Sequence, residues 1–295
     1  MSWLQIAVEA DSQTAEHISD SLFMLGALSV TLQDAADQPV YEPPLTETPL
    51  WEQTRVIGLF SAEDVEPTTL QTQLQTLLAP LTLPPCHFHW LADQAWTRVC
   101  MRDFQPMHFG ERLWVCPSWQ PPPDPQAINI FLDPGLAFGT GTHTTTALCL
   151  EWLAQQQDNL QGKTFIDYGC GSGILALAAI KLGATQVWAV DHDSQALIAT
   201  QENAKKNGIE QYIHIVAPEQ LPTIEVDGIM ANILATPLCQ LAETFANHLM
   251  PNAPVILSGI LQAQLTMIKA SFTPYFSVTE TATREGWLRI VAHKL

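Results

Sequence analysis

The run KTFIDYGCGSGILALAA (163–179) is the part of this chain best suited to hold a nucleotide-like ligand. An apolar, strand-like stretch ends in Asp167. Gly169, Gly171 and Gly173 then alternate with small residues before a helical pattern begins. Glycine permits tight turns and lets the backbone approach a bound group closely. The spacing is G-x-G-x-G, not the G-x-G-x-x-G that opens many dinucleotide sites, and the Lys-Ser/Thr of a phosphate-binding loop is missing. Asp167, immediately before the glycines, would repel a phosphate but could receive a cationic amino group. Asp191 ends the next strand in VWAVDHD, where a carboxylate can accept hydrogen bonds from both hydroxyls of a ribose. Two carboxylates at consecutive strand ends beside a glycine loop describe a cradle for S-adenosyl-L-methionine. A nicotinamide dinucleotide site and a plain tight turn stay open on this motif alone. Asp193 fits the cap or first turn of the following helix.

A second loop, DPGLAFGTGTHTTT (133–146), contains Gly135, Gly139 and Gly141 for close approach. Thr142, Thr144, Thr145 and Thr146 supply hydroxyls at or near the next helix start, where exposed N–H groups suit a carboxylate such as that of a methionine moiety, and Thr140 is a further cofactor-binding candidate. Phe138 could cover a ligand's apolar side. His143 is the histidine best placed for proton handling, with a supporting structural role equally open. In MANILATPL (230–238), Asn232 sits at a strand's C-terminal edge, where open α/β sheets place their ligands. Amino-methylating enzymes present an Asn or Asp there followed by Pro-Pro and an aromatic residue. Here Ile233, Leu234 and Ala235 follow, so the clamp for a planar base or amide is absent. Asn232 could orient an amine while Ile233 and Leu234 exclude water, and no dedicated general base is expected. Cys86, His87 and His89 lack further ligands at metal-binding spacing and read as strand residues. Cys170 reads as a small packing residue.

These loops need an alternating scaffold, and the chain has one. From residue 126, apolar runs at 127–131, 163–167, 186–190, 211–215, 226–230, 253–258, 273–280 and 286–292 predict strands. Helical periodicity covers 144–157, 173–182, 194–207, 236–249 and 261–270, which is the α/β pattern. The last two strands have no helix between them, so a terminal hairpin on an otherwise parallel sheet is expected. Upstream, strands at 3–8, 27–33, 55–60 and 86–91 and helices at 13–25 and 67–79 give the β-α-β-β-α-β order of a ferredoxin-like domain. Gly26 is placed to end the first helix. The expected division is a small domain over 1–92, a linking helix and connecting segment over 93–125 with Trp96, Arg98 and Arg102, and the α/β domain over 126–295.

The chain has 295 residues, 47% hydrophobic and 14% charged, and a formal net charge of −18. Low charge density with this length gives ample core for one large or two modest domains. The charge is uneven. Residues 1–97 hold thirteen acidic residues against the single basic Arg55, and the first lysine is Lys163. Phosphate contacts need clustered Lys and Arg, so nucleic-acid binding and adhesion to anionic membranes are disfavoured. A basic protein partner suits the field, and simple solubility also accounts for it. Six widely spaced cysteines without CxxC read as reduced thiols of a cytoplasmic protein. No targeting segment or apolar run of membrane-spanning length is visible.

The loops taken together resemble the bacterial ribosomal protein L11 methyltransferase (PrmA) family. The resemblance runs through the opening WLQI, VIGLF (56–60), FQPMHFGERLWVCPSW (104–119), LDPGLAFGTGTHTTT (132–146), IDYGCGSGILALAA (166–179) and ANILA (231–235). It implies a ferredoxin-like substrate-recognition domain joined to a seven-stranded, Rossmann-like S-adenosylmethionine-dependent methyltransferase domain. It also implies trimethylation of lysine side-chain and terminal α-amines on the ribosomal protein. Thr146, Gly169, Asp191 and Asn232 match the family's cofactor-contacting positions. Thr144 departs from the Pro that many relatives carry after the His. A monomer is expected, since no heptad or self-association stripe is present.

Overall fold

The computed structural model describes residues 2–36, 38, 50–61, 63, 65–92, 104–133 and 141–295. The chain divides into two compact units, Met1–Arg98 and Val99–Leu295.

In the first unit the elements follow in the order β1 (Ser2–Ala10), α1 (Ala15–Met24), β2 (Ser29–Asp34), β3 (Thr54–Ser61), α2 (Pro67–Leu78) and β4 (Cys86–Ala92). The strands form one antiparallel sheet ordered β2-β3-β1-β4. Alternation along β1 and β3 turns Leu4, Ile6, Val8, Val56 and Phe60 onto one face. Ile18 and Leu22 of α1 and Leu70, Leu74 and Leu78 of α2 close over them, at the spacing that repeats on one side of a helix. Gly58 leaves room for α1, because a Cβ there would lie 3.2 Å from the Leu22 side chain. Helix α1 ends as its sequence predicts: Gly26 has φ +93° and its N–H bonds the Phe23 carbonyl at 3.0 Å.

The second unit opens with a three-stranded sheet of β5 (Met107–Phe109), β6 (Leu113–Cys116) and β7 (Ile128–Phe131). Strand β7 is the expected 127–131 strand, and it pairs with β6 instead of joining the large sheet. Its position is fixed from outside by Asn207. The Phe131 N–H donates to Asn207 Oδ1 at 2.9 Å, and Asn207 Nδ2 donates to the Phe131 carbonyl at 2.7 Å. The large sheet contains β8 (Thr164–Tyr168), β9 (Gln186–Val190), β10 (Ile213–Val216), β11 (Gly228–Asn232), β12 (Pro254–Leu261), β13 (Phe276–Arg284) and β14 (Trp287–Lys294). Its order is β10-β9-β8-β11-β12-β14-β13. Strands β8 to β12 run parallel, and the terminal hairpin adds the antiparallel β14 and β13 as expected.

Helices α3 (Thr144–Gln155), α4 (Gln157–Leu160), α5 (Ile174–Lys181), α6 (Ser194–Lys206), α7 (Ala235–His248) and α8 (Leu265–Phe272) complete the unit. Both sheet faces are buried, so the strands are apolar on both sides. Phe165 packs with Leu153, Leu177 and Val187, whereas the next residue, Ile166, packs with Leu238, Phe245 and Val255. The sheet order reverses at β8, which has β9 on one side and β11 on the other, and open α/β sheets bind ligands at such a switch point. Among the described residues no helix is long and apolar enough to cross a membrane, and no cluster of His, Cys, Asp and Glu could hold a metal ion.

Candidate active site

The switch point is occupied by the glycine loop. Gly169, Gly171 and Gly173 adopt φ of +76°, +55° and +78° between the end of β8 and the start of α5. A side chain in that conformation costs roughly 1–2 kcal/mol per residue. Space is also short: a Cβ on Gly169 would lie 2.2 Å from Ile233 Cγ2, and one on Gly173 would lie 2.8 Å from Thr200 Cγ2. The loop is tied down from its neighbours. The N–H groups of Gly169 and Cys170 donate to the Val190 carbonyl at 2.7 and 3.1 Å. Thr200 Oγ1 donates to the Gly171 carbonyl at 3.0 Å, and Asn203 Nδ2 donates to the Ser172 carbonyl at 2.9 Å. Sequence reading missed Thr200 and Asn203, although two polar residues three apart on an otherwise half-apolar helix share one face. Cys170 is buried beside Thr200, and that burial pushes its thiol up, out of the reactive range.

Two carboxylates stand at the ends of β8 and β9. Asp191 accepts from the Gly171 N–H and the Asp193 N–H, both at 3.0 Å, one on each carboxylate oxygen. Each oxygen keeps a further lone pair for a ligand hydroxyl. Asp193 caps α6 through the Gln195 N–H at 2.9 Å, as its position predicts. Asp167 is buried, and its Oδ2 accepts from the Ala176 N–H at 3.0 Å. Burial pushes its carboxyl up to about 7, the Ala176 N–H opposes the shift, and the Asp191 charge adds to it.

This has a measurable consequence for stability. With a folded value near 7 and an ordinary value of 3.8, the folded state holds this proton more tightly than the unfolded chain. Stability therefore falls as pH rises through that window, and the loss is complete above it. Asp167→Asn, neutral at every pH, is expected to stabilise the ligand-free protein at pH 8 by about 1–4 kcal/mol and by less at pH 5. Urea unfolding at the two pH values measures this. An equal effect at both would contradict the assignment.

The second loop starts from a fixed post. Asp133 accepts from Ser118 N–H and Oγ, each at 2.7 Å, and from Lys206 Nζ at 2.5 Å. Phe138, Gly139 and Thr140 lie outside the described residues. Past them, Gly141 has φ +90° and passes Met107 and Ile174 so closely that a Cβ would lie 3.0 and 3.1 Å from their side chains. His143 is the cap of α3: the Thr145 N–H donates to Nδ1 at 3.3 Å, with Thr145 Oγ1 2.7 Å from the same nitrogen. Trp287 stands edge-on to the ring at 5.1 Å. Thr144 Oγ1 donates to Glu285 at the tip of the β13–β14 hairpin.

The two loops converge on the end of β11. Thr145 and Thr146 are buried, and Thr146 Oγ1 accepts from Asn232 Nδ2 at 3.1 Å. Asn232 Oδ1 is buried and has no donor among the described residues. A buried acceptor left unpaired costs about 1–3 kcal/mol, so this atom is poised for a ligand's hydrogen. Ile233 is wedged between Gly169 and Gly259, whose Cβ would lie 2.3 Å from the Ile233 carbonyl oxygen. Gly259, at φ +81°, was also missed from sequence, although a glycine within an apolar strand pattern is the usual sign of a bulge or close approach. Leu234 stands at the cap of α7 and is 46% exposed.

The site therefore brings a glycine-rich cradle, a ribose-type acid and an orphaned amide oxygen to one sheet edge, and these donors and acceptors fit S-adenosylmethionine. Fold and site together define the Rossmann-like class of S-adenosylmethionine-dependent methyltransferases. The chain belongs to the ribosomal protein L11 methyltransferase (PrmA) family, which matches residues 2–295. It is 50% identical over 294 residues to the ribosomal protein L11 methyltransferase of Nitrosococcus oceani, covering 100% of each chain. It is 48% identical over 291 residues to that of Pseudomonas aeruginosa, covering 98% of each. The crystal structure of ribosomal protein L11 methylase from Lactobacillus delbrueckii subsp. bulgaricus superposes with a TM-score of 0.58 at 32% identity. That match covers 65% of this chain and 99% of the other.

Proposed function

We propose that this protein transfers methyl groups from S-adenosylmethionine to nitrogen atoms of ribosomal protein L11, at lysine side chains and the terminal α-amine, up to the trimethyl form. The buried, unpartnered Asn232 Oδ1 at the edge of the glycine loop carries this reading. It offers an acceptor where an amine has hydrogens to donate, and the residues that follow it, Ile233, Leu234 and Ala235, include no aromatic ring to clamp a planar base.

The second unit acts as the catalytic domain. It includes residues 104–125, expected from sequence to belong to the connection over 93–125, because Phe104, Phe109, Leu113 and Val115 join its core. Residues 1–92 act as a ferredoxin-like domain that recognises the substrate. The acidity of that first domain supports a basic protein partner. The same deficit of Lys and Arg argues against direct nucleic-acid binding. The reading is of a cytoplasmic monomer.

When bound, the sulfonium cofactor supplies an electrophilic methyl group. The chain's own residues do the rest. Gly169, Gly171 and Gly173 admit the ligand against the backbone, and Asp191 accepts from ribose hydroxyls. Phe138, Gly139, Thr140, His143 and Thr146 would hold the methionine end from the second loop, and Asp167 would balance its cationic amino group. The acceptor nitrogen must be neutral, yet a free lysine titrates near ~10.4. The apolar Ile233 edge lowers that value, whereas Leu234, expected to exclude water as well, is 46% exposed. Alignment then supplies most of the acceleration, since the displacement needs a near-attack geometry more than a strong base.

Asp191→Ala is expected to weaken S-adenosylmethionine binding by roughly 10–100-fold, the loss of charge-assisted hydrogen bonds. An unchanged dissociation constant by calorimetry would refute the ribose assignment. Incubation with labelled S-adenosylmethionine and purified ribosomal protein L11 tests the function itself. Label on the ribosomal protein supports it, and label carried only by a small-molecule acceptor counts against it.

A further inference from the structure

We infer that Thr146 is a positioning residue that locks the Asn232 amide, so that the first two methyl transfers to a nitrogen depend on it and the third does not. The inference rests on the proposed amine methylation and adds a division between its steps. Thr146 Oγ1 engages Asn232 Nδ2 at 3.1 Å, which leaves Oδ1 as the free end of the amide. That oxygen is buried without a donor among the described residues. The rotated amide would present N–H groups to a nucleophile whose lone pair must point at the methyl carbon, and it would compete for that lone pair. The carbonyl instead accepts an N–H and leaves the lone pair free.

In each transfer the nitrogen lone pair forms the N–C bond as the C–S bond breaks, and the electron pair goes to sulfur. Positive charge thus passes from sulfur to nitrogen, and an N–H···Oδ1 hydrogen bond strengthens on the way to the transition state. A neutral primary amine has two N–H groups, and the monomethylated amine keeps one. Each of these loses a proton to water before the next transfer. A neutral dimethylated amine has no N–H left, so the final transfer gains no hydrogen bond from Oδ1 and keeps only the weaker attraction of the carbonyl dipole for the charge on nitrogen.

The experiment measures the three successive rates by mass spectrometry, starting from unmethylated, monomethylated and dimethylated substrate at saturating S-adenosylmethionine. Thr146→Val is expected to slow the first and second transfers by about 10–100-fold and the third by less than about 3-fold. Thr146→Ser restores all three. Asn232→Leu, which keeps the shape and removes the acceptor, reproduces the valine pattern if Thr146→Val folds poorly. A binding readout accompanies the rates: with S-adenosylhomocysteine present, the wild type binds unmethylated substrate more tightly than trimethylated substrate, and Thr146→Val narrows that ratio. Equal slowing of all three steps, no slowing, or an effect removed by raising S-adenosylmethionine would overturn the inference. A wild-type protein that transfers no methyl to any of the three substrates counts against the proposed activity instead.

Discussion

Removing residues 1–92 is expected to lower methylation of ribosomal protein L11 by more than about 1000-fold while leaving S-adenosylmethionine affinity within about 3-fold, from the loss of an interface's worth of substrate binding. The physical basis is the separation of cores. Leu4, Ile6, Phe60, Leu70 and Leu74 form a core of the first unit, and the large sheet of the second unit has cores of its own around Phe165 and Ile166. The cradle residues Gly169, Asp191, Thr146 and Asn232 all belong to the second unit. What is lost is the acidic surface of the small domain, and with it steering and orientation of a basic protein. Calorimetry and a methylation assay on the truncated chain check both halves. Retained activity would show that the small domain is not the recognition element.

Gly169→Ala is expected to be the most damaging single change in the cradle. The residue is held at φ +76°, and the added carbon would sit 2.2 Å from Ile233 Cγ2. Backbone strain and overpacking together predict about 2–4 kcal/mol of lost stability. Ile233 also connects the glycine loop to the end of β11, so relief of the clash displaces the neighbour of Asn232. Urea unfolding and cofactor titration measure the two effects. A variant with unchanged stability and affinity would mean that the loop moves freely away from β11.

Much of this was legible in the sequence because it depends on local rules. The G-x-G-x-G run after an apolar strand located the switch point, and Gly26, Asp193 and the terminal hairpin behaved as their positions predict. Features set by distant partners were not legible. The 127–131 pattern says strand, but Asn207, 76 positions further on, ties it to the end of α6. Strand β5 has only three residues and gives no usable period. For His143 the sequence leaves proton handling and a supporting structural role equally open, and in the fold its Nδ1 serves as a helix cap, a duty usually taken by Ser, Thr, Asp or Asn. Thr200, Asn203 and Gly259 acquire their roles only where the glycine loop, α6 and β12 meet. The pairing of Thr146 with Asn232 spans 86 positions, and only the fold turns two separate motif residues into one device.

The central claim is that an amine of ribosomal protein L11 receives methyl groups at the Asn232 edge. Mass spectrometry of the ribosomal protein after reaction with this protein and S-adenosylmethionine tests it most directly, since it fixes both the acceptor atom and the number of methyl groups. The account predicts methyl groups on lysine and terminal amines, advancing to trimethylated nitrogen. An unmodified ribosomal protein in the presence of folded, cofactor-binding enzyme, or methyl groups on oxygen or carbon, would contradict it.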